Sequence, residues 1–273
     1  MTILETNEYA RALVWMMFGD AADEDYMIAR QAVRMGAAYQ FAWSAQQAIE
    51  KYLKCSLLLN DVDVSGFGHD LLPMFERVRE LSDGIMPILW CPPREFPRKK
   101  EAFGDDFETY ESIVARFSEA GHTDSRYRHT SLVFLGYDLH KFDELVFQLR
   151  RLAVPLDRRP LPNEKTYRSA LVEDPSLQHS PIPSGFNTKN GEHHEAKMAA
   201  LTWRNFSFFR EIALEEGFLS NGTLAINSPI GAVGSIGGQG AEAVRWLVSQ
   251  IRLRKREKAM ISAWLPEASP EEP

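Results

Sequence analysis

The stretch from Ala38 to Leu59, AYQFAWSAQQAIEKYLKCSLLL, decides the fold of this chain. It contains neither glycine nor proline, and its apolar residues recur at the three-and-four spacing of a helix with one buried face. That face consists of Phe41, Ala45, Ala48, Ile49, Tyr52, Leu53 and Leu57. We expect a solvated or intersubunit face opposite, formed by Gln47, Glu50, Lys51 and Lys54, with Glu50 and Lys54 as an i,i+4 ion pair.

Helical patterns also dominate on both sides of this stretch. We predict further helices at 9–18, 24–35, 69–81, 105–120, 126–153, 192–217 and 241–264. Asp23 is expected to cap the helix at 24–35, with Ile28 among the side chains that face the core. Only 223–226 resembles a strand, and strands do not alternate with helices. The sequence therefore predicts the all-α fold class.

Net charge, cysteine content and the length of apolar runs limit the classes of function open to this chain. A net charge of −7 argues against a protein that coats nucleic acid, although a local basic patch can still bind phosphate. The two cysteines form no disulfide framework and suit a reducing compartment. The sequence shows no secretory signal and no apolar run of membrane-spanning length. We expect a cytoplasmic protein that uses no membrane, no metal and no cofactor.

The pattern of prolines divides the chain. We predict a helical bundle over residues 1–155, which ends at Pro155, and a proline-rich linker or wrapping segment over 156–190. Two helical patterns in 191–264 are too small to hold a core of their own. We expect them to pack on the bundle, before a frayed tail at 265–273.

Four short motifs occur in order along the first half of the chain: DYMIAR at 25–30, AQQAIEKYLK at 45–54, His69-Asp70-Leu71 and DSRY at 124–127. Together they resemble the HEPN family, the higher eukaryotes and prokaryotes nucleotide-binding domains, over roughly residues 20–155. The resemblance implies an up-and-down bundle of four or five helices that commonly pairs as a homodimer. It also implies roles in RNA cleavage, in toxin–antitoxin or phage-defence systems, or beside a nucleotidyltransferase or antitoxin partner. Residues 160–273 resemble no family.

Members of that family that cleave RNA carry an Arg followed, after four to six residues, by a His. Metal-free cleavage needs a base that titrates near neutral pH and a cation that holds the phosphate. Arg116 and His122 have this spacing, but Phe117 follows Arg116 where the family has a polar residue. They are the candidate catalytic pair. The alternative is a surface arginine near a helix end and a solvent-exposed histidine.

A second cluster, Arg126, Tyr127, Arg128 and His129, falls where Asp124 or Ser125 would cap a helix. It is a candidate RNA- or phosphate-binding site, because helix N-termini and arginines attract phosphate and a tyrosine can stack on a base. We favour a structural role for Arg126 and Tyr127, since the resemblance includes them even where the nuclease residues are lacking.

Weaker signals lie elsewhere. His69 is expected to cap its helix and to contact the central helix near Glu50. A candidate basic patch on the last helix consists of Arg252, Arg254, Lys255 and Arg256. Adjacent side chains such as His193 and His194 cannot readily share a metal, and the glycine-rich loop at 231–240 lacks the lysine of a phosphate-binding loop.

Two functions remain open from the sequence. The first is a non-catalytic module that binds RNA, a nucleotide or a partner protein. The second is a metal-independent endoribonuclease, a toxin, that uses Arg116 and His122. We favour the binding module, because the Arg116–His122 pair departs from the nuclease pattern.

Overall fold

The fold is taken from a computed structural model that describes residues 8–93, 108–122, 132–134, 136–177, 194–215, 224–226, 240–241, 243–245 and 255–265. Its helices are α1 (Glu8–Val14), α2 (Asp20–Arg34), α3 (Ala38–Leu59), α4 (Leu71–Ser82), α5 (Tyr110–Ala120), α6 (Gly136–Leu152), α7 (Tyr167–Glu173), α8 (His194–Thr202), α9 (Arg210–Glu215) and α10 (Lys255–Trp264). Its strands are β1 (Leu89–Trp90), β2 (Glu108–Thr109), β3 (Leu132–Phe134) and β4 (Leu224–Ile226). The prediction of an all-α bundle is confirmed.

Helix α3 has the bounds that the sequence predicts and lies at the centre of the bundle, against α2, α4, α5 and α6. Ile49 and Leu53 are fully buried on it. The prediction of a solvated opposite face is wrong at Glu50, which is only 5% exposed because α4 and the loop before it cover this side. The ion pair between Lys54 and Glu50 is present at 2.7 Å.

Helix α2 begins earlier than predicted, because a π-helical turn (Trp15–Gly19) joins it to α1 without leaving helical backbone angles. Asp23 therefore lies inside the helix, where its side chain is buried, and the prediction that it caps the helix is wrong. Ile28, predicted to face the core, is 44% exposed.

Part of the helix predicted over 126–153 is a strand. β3 pairs antiparallel with β4, Leu132 opposite Ile226 and Phe134 opposite Leu224, and α6 begins only at Gly136. The apolar run at 132–135 is compatible with a helix or with a strand. Its pairing with β4, far along the chain, selects the strand. The strand predicted at 223–226 is confirmed at Leu224–Ile226.

Two other predicted helices also have different bounds. α5 begins at Tyr110 rather than at 105, with Thr109 as its N-cap. The helix predicted over 192–217 is two helices, α8 and α9, because Arg204 adopts a positive φ of 52° and the chain turns there. Of the helix predicted over 241–264, the described residues include α10 and helical positions at 240–241 and 243–245.

Four phenylalanines join the elements around the candidate site. Phe41 of α3 lies with its ring centroid 5.0 Å from Phe134, 5.7 Å from Phe117 and 5.7 Å from Phe142. Aromatic pairs of this kind contribute about 0.5–1.5 kcal/mol each beyond the area they bury. The cluster therefore fixes α5, β3 and α6 on α3.

None of the helices in the described part of the chain is long and apolar enough to cross a bilayer.

Candidate functional site

The most deeply buried charges of the bundle centre on Arg30. Its guanidinium pairs with Asp143 of α6, and both side chains are at most 1% exposed. Its Nε donates to the carbonyl of Ala200 at 3.0 Å, and its Nη2 donates to the carbonyl of Trp203. Tyr26 donates to the same Asp143 at 2.8 Å. This network connects α2, α6 and the α8 region.

A second buried network lies one helical turn away. Arg150 binds both carboxylate oxygens of Asp23, at 3.0 and 3.1 Å, and Tyr52 of α3 donates to Asp23 as well. Burial raises the pKa of Tyr52 well above its ordinary value, and Asp23 adds to the shift, so this phenol stays protonated. The motif residues Tyr26, Arg30 and Tyr52 are therefore structural.

The polar cluster on α3 is more accessible. His69 places its Nδ1 2.9 Å from Oε1 of Glu50, the contact predicted from the sequence. The histidine itself is 81% exposed, whereas the carboxylate is covered. The cap of α4 is Asp70, which accepts from the backbone N–H of Leu72, so the prediction that His69 is the cap is wrong. A buried carboxylate contacting an exposed imidazole can hold that imidazole in one orientation.

Arg116 is held between carboxylates. Its guanidinium pairs with Glu108, just before α5, and with Asp138 on α6, and its side chain is 32% exposed. Lys141 binds the other oxygen of Glu108 at 2.7 Å. Burial raises the pKa of Glu108, but hydrogen bonds from Lys141 and Arg116 outweigh it, and the pKa is lowered. Two cations and two anions thus form one neutral cluster.

Sequence reasoning missed both carboxylates of this cluster. Asp138 lies 22 positions after Arg116, and no local spacing connects the two residues. Glu108 lies only eight positions before Arg116, but it falls inside the helix predicted over 105–120, where nothing in the sequence singles it out.

His122 is positioned by the residue before it. Gly121 is buried where α5 ends against α3, and a Cβ there would lie only 2.6 Å from the carbonyl oxygen of Ala42 and would overlap the side chain of Gln46. Gln46 in turn donates to Glu50 at 3.4 Å. The half-buried His122 therefore follows directly on the glycine that packs against Ala42 and Gln46 of α3.

Most residues of the two other candidate sites, the phosphate-binding cluster and the basic patch, are not among the described residues. Arg126, Tyr127, Arg128, His129, Arg252 and Arg254 lie outside the described residues. Lys255 is exposed at the start of α10, and Arg256 follows it in that helix. Within the described part of the chain, no group of three or more His, Cys, Asp or Glu side chains is placed to hold a metal ion.

Residues 18–119 match the family model of the HEPN domain, and the remainder of the chain is unassigned. The resemblance drawn from the motifs is confirmed over that segment, which includes Tyr26, Glu50, His69 and Arg116. No curated protein and no solved structure matches the chain.

Proposed function

Residues 18–119 are a HEPN domain, and from this premise we propose that the chain is a non-catalytic binding module for RNA, a nucleotide or a partner protein. The family includes both ribonucleases and nucleotide-binding modules. The proposal is that this member belongs with the second group. Its setting is a toxin–antitoxin or phage-defence system, with a nucleotidyltransferase or an antitoxin as the protein partner.

The state of Arg116 carries the proposal. A ribonuclease of this family needs an arginine that is open to the scissile phosphate. Here the guanidinium already pairs with Glu108 and Asp138. A phosphate that approached it would meet two carboxylates and would have to displace at least one of them. Since two cations already balance two anions in this cluster, it offers a phosphate no net attraction, and this neutrality disfavours RNA cleavage.

The ribonuclease remains the second candidate. The spacing of Arg116 and His122 favours it. In that mechanism the imidazole would deprotonate a 2′-hydroxyl, and the product would carry a 2′,3′-cyclic phosphate.

Incubation of the purified full chain with structured and unstructured RNA in EDTA separates the two functions. We expect intact RNA with the wild type and with His122→Ala. Cleavage by the wild type that His122→Ala abolishes, at an unchanged melting temperature, would overturn the proposal. Arg116→Ala belongs in the same series, with Arg77→Ala as a matched control, because Arg77 forms only an exposed pair with Glu80.

We also propose that the chain is a homodimer through the bundle. Leu13, Met16 and Met17 support it, because they expose more than half of their apolar side chains on neighbouring turns of α1 and the π-helical turn. Light scattering at micromolar concentration should give twice the chain mass of 31.1 kDa. Met16→Lys should shift the mass towards that of the monomer. A wild-type mass of 31.1 kDa, or a dimer that Met16→Lys leaves intact, would contradict this assembly.

A further inference from the structure

The contact between His69 and Glu50 joins an exposed imidazole to a buried carboxylate. The side chain of His69 is 81% exposed, whereas that of Glu50 is 7% exposed. In an ordinary surface pair, such as Arg77 with Glu80, both side chains are largely hydrated. Here the carboxylate is fixed in the bundle and presents the imidazole ring to solvent.

Three donors hold the carboxylate of Glu50 in place. Lys54 binds the same oxygen as His69, at 2.7 Å, and Gln46 donates to the other oxygen at 3.4 Å. Lys54 and Gln46 lie on α3 four positions after and before Glu50, so the helix itself sets their spacing. Because Lys54 and His69 share one oxygen, the ammonium group lies beside the imidazole.

The backbone around His69 is anchored on both sides. Phe67 packs partly buried against the core, and its carbonyl accepts from the backbone N–H of Asp70 at 3.2 Å. Gly68 between them has a positive φ of 60°, which glycine adopts without strain and which lets the chain turn before α4. The position of His69 is therefore set by its backbone as well as by its ring.

The hydrogen bond to Glu50 determines which nitrogen of His69 is reactive. A neutral imidazole has one N–H and one lone pair, and a carboxylate only accepts, so the proton lies on Nδ1 and the lone pair on Nε2. A carboxylate in this position also stabilises the imidazolium that forms when Nε2 reacts. Nε2 of His69 is thus an oriented nucleophile at the surface of the bundle.

We propose that Nε2 of His69 accepts a phosphoryl group from an acyl phosphate. In this step Nε2 attacks the phosphorus, the P–O bond to the acyl group breaks, and the bonding pair leaves with the carboxylate product. The proton stays on Nδ1, where Glu50 offsets the charge of the phosphorylated ring. The ammonium of Lys54 attracts the phosphoryl oxygens as a point charge. A carboxylate leaves without being protonated, so the step needs no separate acid.

The other charged groups near His69 are already engaged. Asp25, whose carboxylate interacts with Glu50, is paired with Lys51. The carboxylate of Asp70 accepts from the backbone N–H at the start of α4. The inference goes beyond the proposed function, because an acyl phosphate carries neither a base nor an RNA strand.

Mass spectrometry of the full chain after incubation with acetyl phosphate tests the proposal. We expect the chain to gain one acid-labile phosphoryl group, which peptide mapping places on His69 rather than on the others of its seven histidines. His69→Gln should abolish the label without changing the melting temperature, because the ring lies mostly in water. Arg77→Ala is the matched surface control and should be labelled as the wild type is.

Glu50→Gln tests the positioning role of the carboxylate. It keeps the shape of the side chain and removes its charge, so labelling should slow by about tenfold or more. Nitrogen NMR gives a readout that a purely structural role would not change: His69 should carry its proton on Nδ1 in the wild type and lose this preference in Glu50→Gln. If Glu50→Gln lowers the melting temperature, Lys54→Gln probes the same cluster and should also slow labelling.

The outcomes against the proposal are equally specific. Absence of label on His69, labelling of every histidine at the same rate, or a label that persists in His69→Gln would overturn it. So would labelling by ATP but not by acetyl phosphate, since the donor class would then be wrong. The RNA incubation described above decides only the proposed function, and its result leaves the labelling of His69 unaffected.

Discussion

Arginines meet carboxylates in two regions of this molecule, and the two differ in their access to water. Arg30 with Asp143 and Arg150 with Asp23 lie in the interior, where each side chain is at most 3% exposed. Arg116 lies between Glu108 and Asp138 at the edge of the bundle and keeps about a third of its side chain in solvent. The interior pairs connect helices. The edge cluster instead holds Arg116, the arginine of the candidate catalytic pair with His122.

This difference in burial determines how much the interior pairs and the edge cluster each contribute to stability. Removing a charge from water costs several kcal/mol, so an interior pair persists only if hydrogen bonds satisfy most of its atoms. Arg30 meets that demand with a carboxylate and two carbonyls. The side chains of the edge cluster keep more of their hydration, so their burial costs less free energy and their pairing contributes less to stability. Breaking it therefore changes the local charge more than it changes the fold.

The strongest break places an unpaired charge in the same interior. Leu53→Asp or Ile49→Asp puts a carboxylate on a fully buried position of α3 with no cation provided for it. We expect a loss of more than about 4 kcal/mol in the free energy of unfolding, enough to unfold the chain. Circular dichroism and thermal melting measure the loss. A folded Leu53→Asp variant would show that the interior accepts unpaired charge.

The next break removes one member of an interior pair. Arg30→Ala leaves Asp143 buried without its cation, and we expect a loss of about 3–5 kcal/mol by urea unfolding. The double variant Arg30→Met with Asp143→Leu removes both charges and should recover most of that loss. If the double variant were no more stable than Arg30→Ala, unpaired charge would not be the cause.

A smaller effect is expected at the edge. Arg116→Ala should lower the free energy of unfolding by about 1 kcal/mol or less, because the pair is partly hydrated. Arg77→Ala, on an exposed ion pair, sets the baseline for a surface arginine. A loss at Arg116 as large as that at Arg30 would remove the distinction between the two regions.

The smallest effect is a pH dependence of the edge cluster. The pKa of Glu108 is lowered from its ordinary value of 4.5 in the folded chain. Its contribution to stability is therefore complete above pH 4.5 and is lost as the pH falls through the lowered value. Glu108→Gln should flatten this acid limb in melting experiments between neutral and low pH. An unchanged acid limb would mean that other carboxylates set it.

The sequence predicted an element correctly where the spacing of nearby residues determines its structure. It failed where a partner far along the chain determines that structure. Helix α3 was predicted to the residue because its own apolar period determines it. The sequence predicts Asp23 as a cap because an aspartate just before an apolar run is a preferred N-cap, whereas its partner Arg150 is 127 positions away. The strand β3 was read as helix because its partner β4 lies far along the chain.

The candidate site was predictable to a similar degree. The contact of His69 with the central helix near Glu50 was predicted, and the two side chains lie 2.9 Å apart. The carboxylates that occupy Arg116 were not, because Asp138 belongs to another helix. The roles of Arg126, Tyr127, Arg128 and His129 stay predictions, as do those of Arg252 and Arg254.

The contacts of Arg30 have a consequence for the order in which the chain can fold during synthesis. Its carboxylate partner leaves the ribosome 113 residues later, and the carbonyl of Ala200 emerges 170 residues later. Until then a nascent bundle holds an arginine whose native partners do not yet exist. The segment that matches the family model, residues 18–119, thus contains Arg30 but none of the three groups that bind its guanidinium.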